Sequence, residues 1–306
     1  MKQVQLGNTQ VSELMLGLMR IDSLEEDSIY ALLTAALEAE INCLDIADVY
    51  GDGVCEEKLG AVFAAHPMLR DQFFLQTKCG IRKDQFLWYD FSRQYIIRQA
   101  ESSLRRMQTD YIDCLLLHRP DFLMEPDEVC EAFTALHDSG KVGCFGVSNQ
   151  NPMQIELLKT AVSFPLVCNQ LQLSAAFTPA INAGFNVNML NDAAIVRASG
   201  ILEYCRIENM VVQAWSPLQY GFFGGVFVGS DQYPLLNEVL ERIAKEQEVT
   251  PDAVAVAWVL RCPGKMQAVL GTTKRSHLLS AAHAAHVHLS KKQWYEIYIA
   301  AGNELP

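Results

Sequence analysis

Eight short apolar runs, each followed by a stretch with helical spacing, constrain this chain more than any other feature. The runs are Leu14 to Met19, Ile41 to Ala47, Phe73 to Gly80, Tyr111 to His118, Val142 to Asn149, Pro165 to Leu173, Met210 to Leu218 and Met266 to Thr272. They are apolar nearly throughout rather than alternating, as expected for strands covered on both faces. Between them lie helical patterns: a helix capped by Ser28, then Cys55 to Ala65, Ser92 to Met107, Pro126 to Ser139, one from Pro152, and Asn191 to Arg206. Pro234 to Gln247, Thr250 to Arg261 and a segment from about Ser276 complete the alternation. A Ser290/Gln293 capping box opens a terminal helix. Lys2 to Leu14 reads as a β-hairpin turning at Gly7-Asn8.

Eight β/α units without an evident linker favour one closed α/β barrel, a (β/α)8 TIM barrel with an N-terminal β-hairpin spanning residues 1–306 as a single domain. A doubly wound nucleotide-binding sheet is the competing architecture. It calls for GxGxxG after the first strand, and the chain has none there.

Charge and cysteine usage narrow the function. The formal net charge is -12 and no Lys/Arg-rich run occurs, which argues against a nucleic-acid partner. No apolar run approaches the roughly 18 to 20 residues of a membrane helix, and the first residues lack a signal-peptide core. Nine cysteines, an odd number with no CxxC, suit a reducing, cytoplasmic compartment.

In a barrel, chemistry gathers where strands end and loops begin. The second strand delivers Asp45 and Tyr50 there, the third Lys78, the fourth His118. An acid within an apolar run needs a cation, and Lys78 is available to meet Asp45. A phenol beside an ammonium is expected to have a lowered pKa and to serve as a proton donor to a carbonyl oxygen that His118 orients. The matching hydride asks for a nicotinamide. Ser148, Asn149 and Gln170 are candidates for its carboxamide and Trp215 for its ring face. Asp48 gains no partner and reads as a loop residue.

LDIADVYG, LQTKCG, LLLHRP, FGVSN, NQ and AWSPL resemble, in order, the strand-end motifs of the aldo-keto reductase family. The resemblance runs from the hairpin to the last helix. TKCGIR, LLLHRPD, SGKVGCFGVSN and QAWSPL are most similar to a group of bacterial oxidoreductases within it. It implies NADP(H)-dependent reduction of an aldehyde or ketone, with Asp45, Tyr50, Lys78 and His118 as catalytic tetrad. It also implies that Ser148, Asn149 and Gln170 hold the nicotinamide amide and that Trp215 covers the ring. Ser216 and Leu218 fall where the family contacts the pyrophosphate, and Thr272, Lys274 and His277 where it grips the adenosine 2′-phosphate. His277 replaces an Arg common in the family. Lys274 and Arg275 are the expected compensation, and NAD(H) is the alternative coenzyme.

Other features carry weaker expectations. Trp88 and Tyr89, in the loop after the third strand, and Arg119 and Phe222 are candidates for the walls of a small-molecule carbonyl substrate pocket. The GFFGG run at 221–225 reads as a flexible loop over the cofactor. It lacks the GK[ST] of a phosphate-binding loop. His283, His286 and His288 lack a nearby acid or Cys at ligand spacing, so no metal is expected. Two other functions remain open at this level: a nicotinamide-binding sensor with little turnover, and a lyase using Lys78 as a Schiff-base amine. The substrate and the oligomeric state are not written in the sequence.

Overall fold

The computed structural model describes residues 1–306. A hairpin, β1 (Gln3–Leu6) and β2 (Thr9–Ser12), precedes the barrel and turns at Gly7, whose φ of 56° suits glycine. The barrel strands are β3 (Leu14–Gly17), β4 (Cys43–Asp45) and β5 (Phe74–Cys79), then, after a further hairpin of β6 (Ile81–Lys83) and β7 (Leu87–Tyr89), β8 (Ile112–Leu117). They continue with β9 (Val142–Ser148), β10 (Leu166–Gln172), β11 (Val211–Trp215) and β12 (Lys265–Leu270). The eight pair in parallel in sequence order, and β12 pairs β3 to close the ring. Leu6 and Val11 of the first hairpin are fully buried among Met15, Cys43, Cys114 and Val269, so that hairpin plugs the barrel floor.

The outer layer is α1 (Glu26–Glu38), α2 (Val54–Ala65), α3 (Arg93–Arg106), α4 (Pro126–Asp138), α5 (Pro152–Lys159) and α6 (Pro179–Phe185). It is completed by α7 (Ile201–Ile207), α8 (Pro234–Glu246), α9 (Pro251–Leu260), α10 (Arg275–Ala282) and α11 (Lys291–Ala300). The Ser290/Gln293 capping box is present, as is one formed by Asn151 and Gln154. No helix is long and apolar enough to cross a membrane.

Three sequence expectations need correction. Ser28 lies inside α1, whose N-cap is Glu25; the acidic run Glu25–Asp27 already suits the positive end of the helix dipole. The helix expected over Asn191 to Arg206 is a single 3-10 turn at Asp192–Ala194 and then α7. Ser199 and Gly200, at φ 50° and 69°, break the two apart. The segment after the third barrel strand, read as loop, forms β6 and β7.

The interior of the barrel is not purely apolar. Gln213 and Gln267 stand opposite each other in β11 and β12, Gln76 reaches them across the barrel from β5, and all three are fully buried. Gln76 and Gln213 exchange amide hydrogen bonds at 2.9 Å, and Gln213 donates to Gln267 at 3.0 Å. Gln267 donates at 2.7 Å to the carbonyl of Ser12 in the hairpin. This ladder satisfies its own polar groups and carries hydrogen bonding from the plug to the barrel mouth.

Candidate active site

β4 ends at Asp45, and the chain beyond it stays bound to β5. Ile46 N–H donates to Gln76 O at 3.0 Å and Asp48 N–H to Lys78 O at 3.1 Å. The turn that follows needs positive φ at Gly51 (57°), Asp52 (53°) and Gly53 (98°), which sets Tyr50 on the rim. Lys78, at 0% exposure, donates from Nζ to Asp45 Oδ2 at 2.8 Å, to Ile46 O at 2.8 Å and to Tyr50 Oη at 3.2 Å. Asp45 Oδ1 accepts from Gln76 Nε2 at 2.7 Å and from Gln170 Nε2 at 2.8 Å. The carboxylate therefore rests on top of the glutamine ladder, with charge and lone pairs matched.

The electrostatics follow from this packing. Burial alone would depress the Lys78 pKa, but Asp45 and then Tyr50 reverse it, and the ammonium is held above its usual value. A Schiff-base role needs a free amine, which this environment opposes. Burial is also the largest influence on Tyr50, raising its phenol above 10, while Lys78 pulls the other way. The net lowering expected from sequence is thus reversed by desolvation. The consequence is a phenol that keeps its proton near neutral pH, with a cation in place to stabilise the phenolate when that proton leaves. His118 is buried with its ring 5.8 Å from that of Tyr50, edge to face. Burial, then Lys78 and Arg119, push its pKa well below 6.5, so the ring is neutral and carries one N–H.

Asp45, Tyr50 and His118 open onto a cleft of about 1200 Å³ at the carboxyl ends of the strands, more than one drug-sized ligand fills, and Lys78 lies buried behind them. Ser148, Asn149, Gln170, Trp215, Ser216 and Leu218 line it, as do Thr272, Lys274 and His277. Asn149 adopts φ 55°, donates from Nδ2 to Ser148 Oγ at 2.7 Å and accepts from Trp215 Nε1 at 3.4 Å. Gln170 Nε2 is committed to Asp45 and to Gln213, so toward the cleft its free capacity is the amide oxygen. Lys274 N–H donates to Thr272 Oγ1 at 3.1 Å, fixing the entry to α10. Arg275 does not line the cleft; it pairs with Glu38 on α1. Of the two cations expected to compensate for His277, Lys274 lines the cleft and Arg275 is spent elsewhere. Asp252 lines the same end, its carboxyl pushed up by burial and drawn down by His277.

The proposed substrate walls divide. Tyr89, Arg119 and Phe222 line the cleft. Trp88 does not, because alternate residues of β7 face opposite sides: its ring lies 4.1 Å from the Arg82 guanidinium and its Nε1 donates to Asp84 at 3.0 Å. Phe222 and Phe223, in the glycine-rich run, both reach the cleft, and the Phe222 ring sits 6.1 Å from Trp215. His283, His286 and His288 are exposed.

Two groups escaped the sequence reading. One is the glutamine ladder; its signal was a lone Gln at the middle of three apolar runs. The other is the environment of Asp48, which is buried behind the Tyr50 turn. Its Oδ1 has no partner, and burial followed by repulsion from Glu56 raises its pKa to about 8. Glu56 is itself fully buried and paired with Arg106 at 2.7 Å.

The sequence profile described as the aldo/keto reductase family matches residues 13–301. The chain belongs to that family. It is 35% identical to a 6-dehydroglucose reductase of Agrobacterium fabrum, covering 100% of both chains. It is 34% identical to the uncharacterized oxidoreductase YcsN of Bacillus subtilis, again over 100% of both. The oxidoreductase YdhF of Escherichia coli is 35% identical, over 88% of this chain and 86% of that one. Among solved structures, an aldo/keto reductase of Klebsiella pneumoniae in complex with NADP and acetate shares the fold. Its TM-score is 0.78 at 23% identity, over 100% of this chain and 96% of that one. Aldo/keto reductases are oxidoreductases, and this chain has the (β/α)8 barrel of the family with the hairpin at its floor.

Proposed function

We propose that the chain reduces an aldehyde or ketone to an alcohol with a nicotinamide coenzyme, Tyr50 supplying the proton. The observation that carries this reading is the hydrogen-bonded chain Asp45–Lys78–Tyr50 beside a neutral His118, opening onto one cleft. Bound in that cleft, a nicotinamide coenzyme supplies the hydride. Trp215 is the wall for its ring, and Ser148, Asn149 and the Gln170 amide oxygen are the groups for its carboxamide. Ser216 and Leu218 border the pyrophosphate. Lys274 and His277, with Thr272 shaping the turn, serve the adenosine 2′-phosphate. Their cationic and hydroxyl character fits NADP(H), and NAD(H) is the alternative because Arg275 is tied to Glu38.

His118 orients the carbonyl oxygen of the substrate. Tyr50 gives its proton to that oxygen as hydride reaches the carbon, leaving a phenolate facing the Lys78 ammonium. Asp45 keeps that ammonium charged and fixed, so the stabilising charge is in place before the reaction. Atoms balance as carbonyl, hydride and one proton giving an alcohol, with Tyr50 regaining a proton from solvent. A cytoplasmic setting fits nine cysteines that are all free.

The direct experiment uses NADPH deuterated at C4 of the nicotinamide with a panel of aldehydes and ketones. Deuterium should appear at the carbinol carbon of the product. Deuterium lost to solvent, or no alcohol from any carbonyl, would count against the reading.

A further inference from the structure

Arg119 follows His118 at the end of β8 and lines the cleft. Its guanidinium carbon lies 5.7 Å from the ring centres of both Trp215 and Phe222. Four arginines of the chain are partly buried: Arg70, Arg82, Arg106 and Arg119. The first three meet carboxylates, Asp113 at 2.8 Å, Asp90 at 3.0 Å and Glu56 at 2.7 Å. Arg119 meets none and donates no hydrogen bond to the chain; the ionisable groups near it are Tyr89, Tyr50 and the neutral His118. A guanidinium stays charged, and its planar fork is shaped for a carboxylate. The aromatic faces meet the plane of the guanidinium but satisfy none of its N–H groups, and half-buried donors left unpaired are costly unless a ligand meets them.

The surroundings point the same way. The chain carries a formal net charge of -12, yet the cleft gathers Arg20, Lys83, Arg119 and Lys274. Asp45 and Asp252 are its acids, and Asp45 is neutralised by Lys78. Such a cleft concentrates anions against the field of the rest of the molecule. Arg20 and Lys274 accompany Gly271 and Thr272, where the coenzyme phosphates belong in the proposed arrangement; Arg20 donates to Gly271 O at 3.5 Å. Arg119 instead adjoins His118 on the side walled by Tyr89, Trp215 and Phe222. Adjacent residues have Cα atoms about 3.8 Å apart, so His118 and Arg119 address two groups of one small molecule.

We propose that Arg119 is the cation that recognises substrate, and that the preferred carbonyl substrate carries a carboxylate on an apolar or aromatic body. This rests on the carbonyl-reductase reading. Arg119 holds the carboxylate while His118 and Tyr50 address the carbonyl, and the aromatic walls bury what lies between.

The test compares benzaldehyde, 4-carboxybenzaldehyde and the neutral methyl 4-formylbenzoate, and likewise butanal and succinic semialdehyde, in the native enzyme with saturating NADPH. The carboxylate members should be favoured by about 10- to 100-fold in kcat/KM, mainly through KM, as expected for a charge-assisted bidentate contact. Arg119→Met should bring that ratio to within about 3-fold of unity, and Arg119→Lys should restore part of it. The dissociation constant of NADPH, read by fluorescence, should move less than the ratio does. Equal use of carboxylate and neutral aldehydes by the native enzyme would overturn the inference while leaving carbonyl reduction intact. So would an Arg119→Met enzyme that loses NADPH affinity and keeps its carboxylate preference. If no aldehyde turns over, the carbonyl-reductase reading fails. Calorimetric titration of the NADP-saturated protein with 4-carboxybenzaldehyde and benzaldehyde then reads the same preference as a ratio of Kd, and a ratio near one overturns it.

Discussion

The two ends of the cleft are built on opposite principles. At the catalytic end, Lys78 and Asp45 are at 0% and 3% exposure and bonded to each other, to Ile46, Gln76 and Gln170, and to Tyr50. At the far end, Lys274, which caps α10, and His277, on its first turn, stand exposed, and Arg275 between them is tied to Glu38. A buried pair in low dielectric holds one geometry and amplifies each charge; an exposed cation in water is screened and adjustable. On the proposed reading, chemistry that demands a fixed proton donor sits on the glutamine ladder, while coenzyme selection is left to exposed side chains whose replacement disturbs little else.

The contrast is broken most severely at Lys78. Lys78→Met strands Asp45 as a buried carboxylate, and unfolding experiments should show a loss of about 3 to 5 kcal/mol together with loss of turnover. If the variant were as stable as the native chain, the ion pair would not be the anchor described. At the opposite end a substitution should be felt in binding and not in folding. His277→Arg supplies the fork that the site lacks, and should tighten NADPH binding by about 10-fold while NADH changes less than 2-fold. An equal gain for both coenzymes would remove the 2′-phosphate assignment.

Asp48 gives the smallest effect on turnover and sharpens the catalytic half. It is three residues from Asp45, also buried, but without a cation in contact. Unfolded, it releases its proton near 4; folded, it keeps the proton to about 8. Folding therefore takes up a proton between those values. The stability it contributes is complete below about pH 4 and is lost as pH rises through about 8. Asp48→Asn should match the native chain at low pH and exceed it in urea unfolding by a margin that grows as pH rises from about 4 to about 8. A native-like pH slope in the variant would place the titration elsewhere.

Much of this was legible because strand ends announce themselves. Apolar runs closing on Asp45, Lys78 and His118 fixed both the barrel and the mouth of its cleft, since a charge in such a run has few stable surroundings. Trp88 was misjudged because the β6–β7 hairpin turns through Asp84, Gln85 and Phe86 with no glycine to mark it, and one residue of register decides which side faces the cleft. The Tyr50 pKa was misjudged because a neighbouring cation can be read from sequence and the depth of burial cannot. Asp48 was passed over for the same reason. The commitment of Arg275 to Glu38 joins residues at opposite ends of the chain, and no local pattern signals it.

The central claim is that Tyr50 gives the proton while the rest of the cleft holds the coenzyme. Tyr50→Phe removes one oxygen and keeps the ring, so NADPH binding and turnover can be measured on the same variant. The account predicts an NADPH dissociation constant within about 2-fold of native, and a kcat with the best aldehyde reduced by about 10³-fold or more. A Tyr50→Phe enzyme that reduces that aldehyde at the native rate would contradict it.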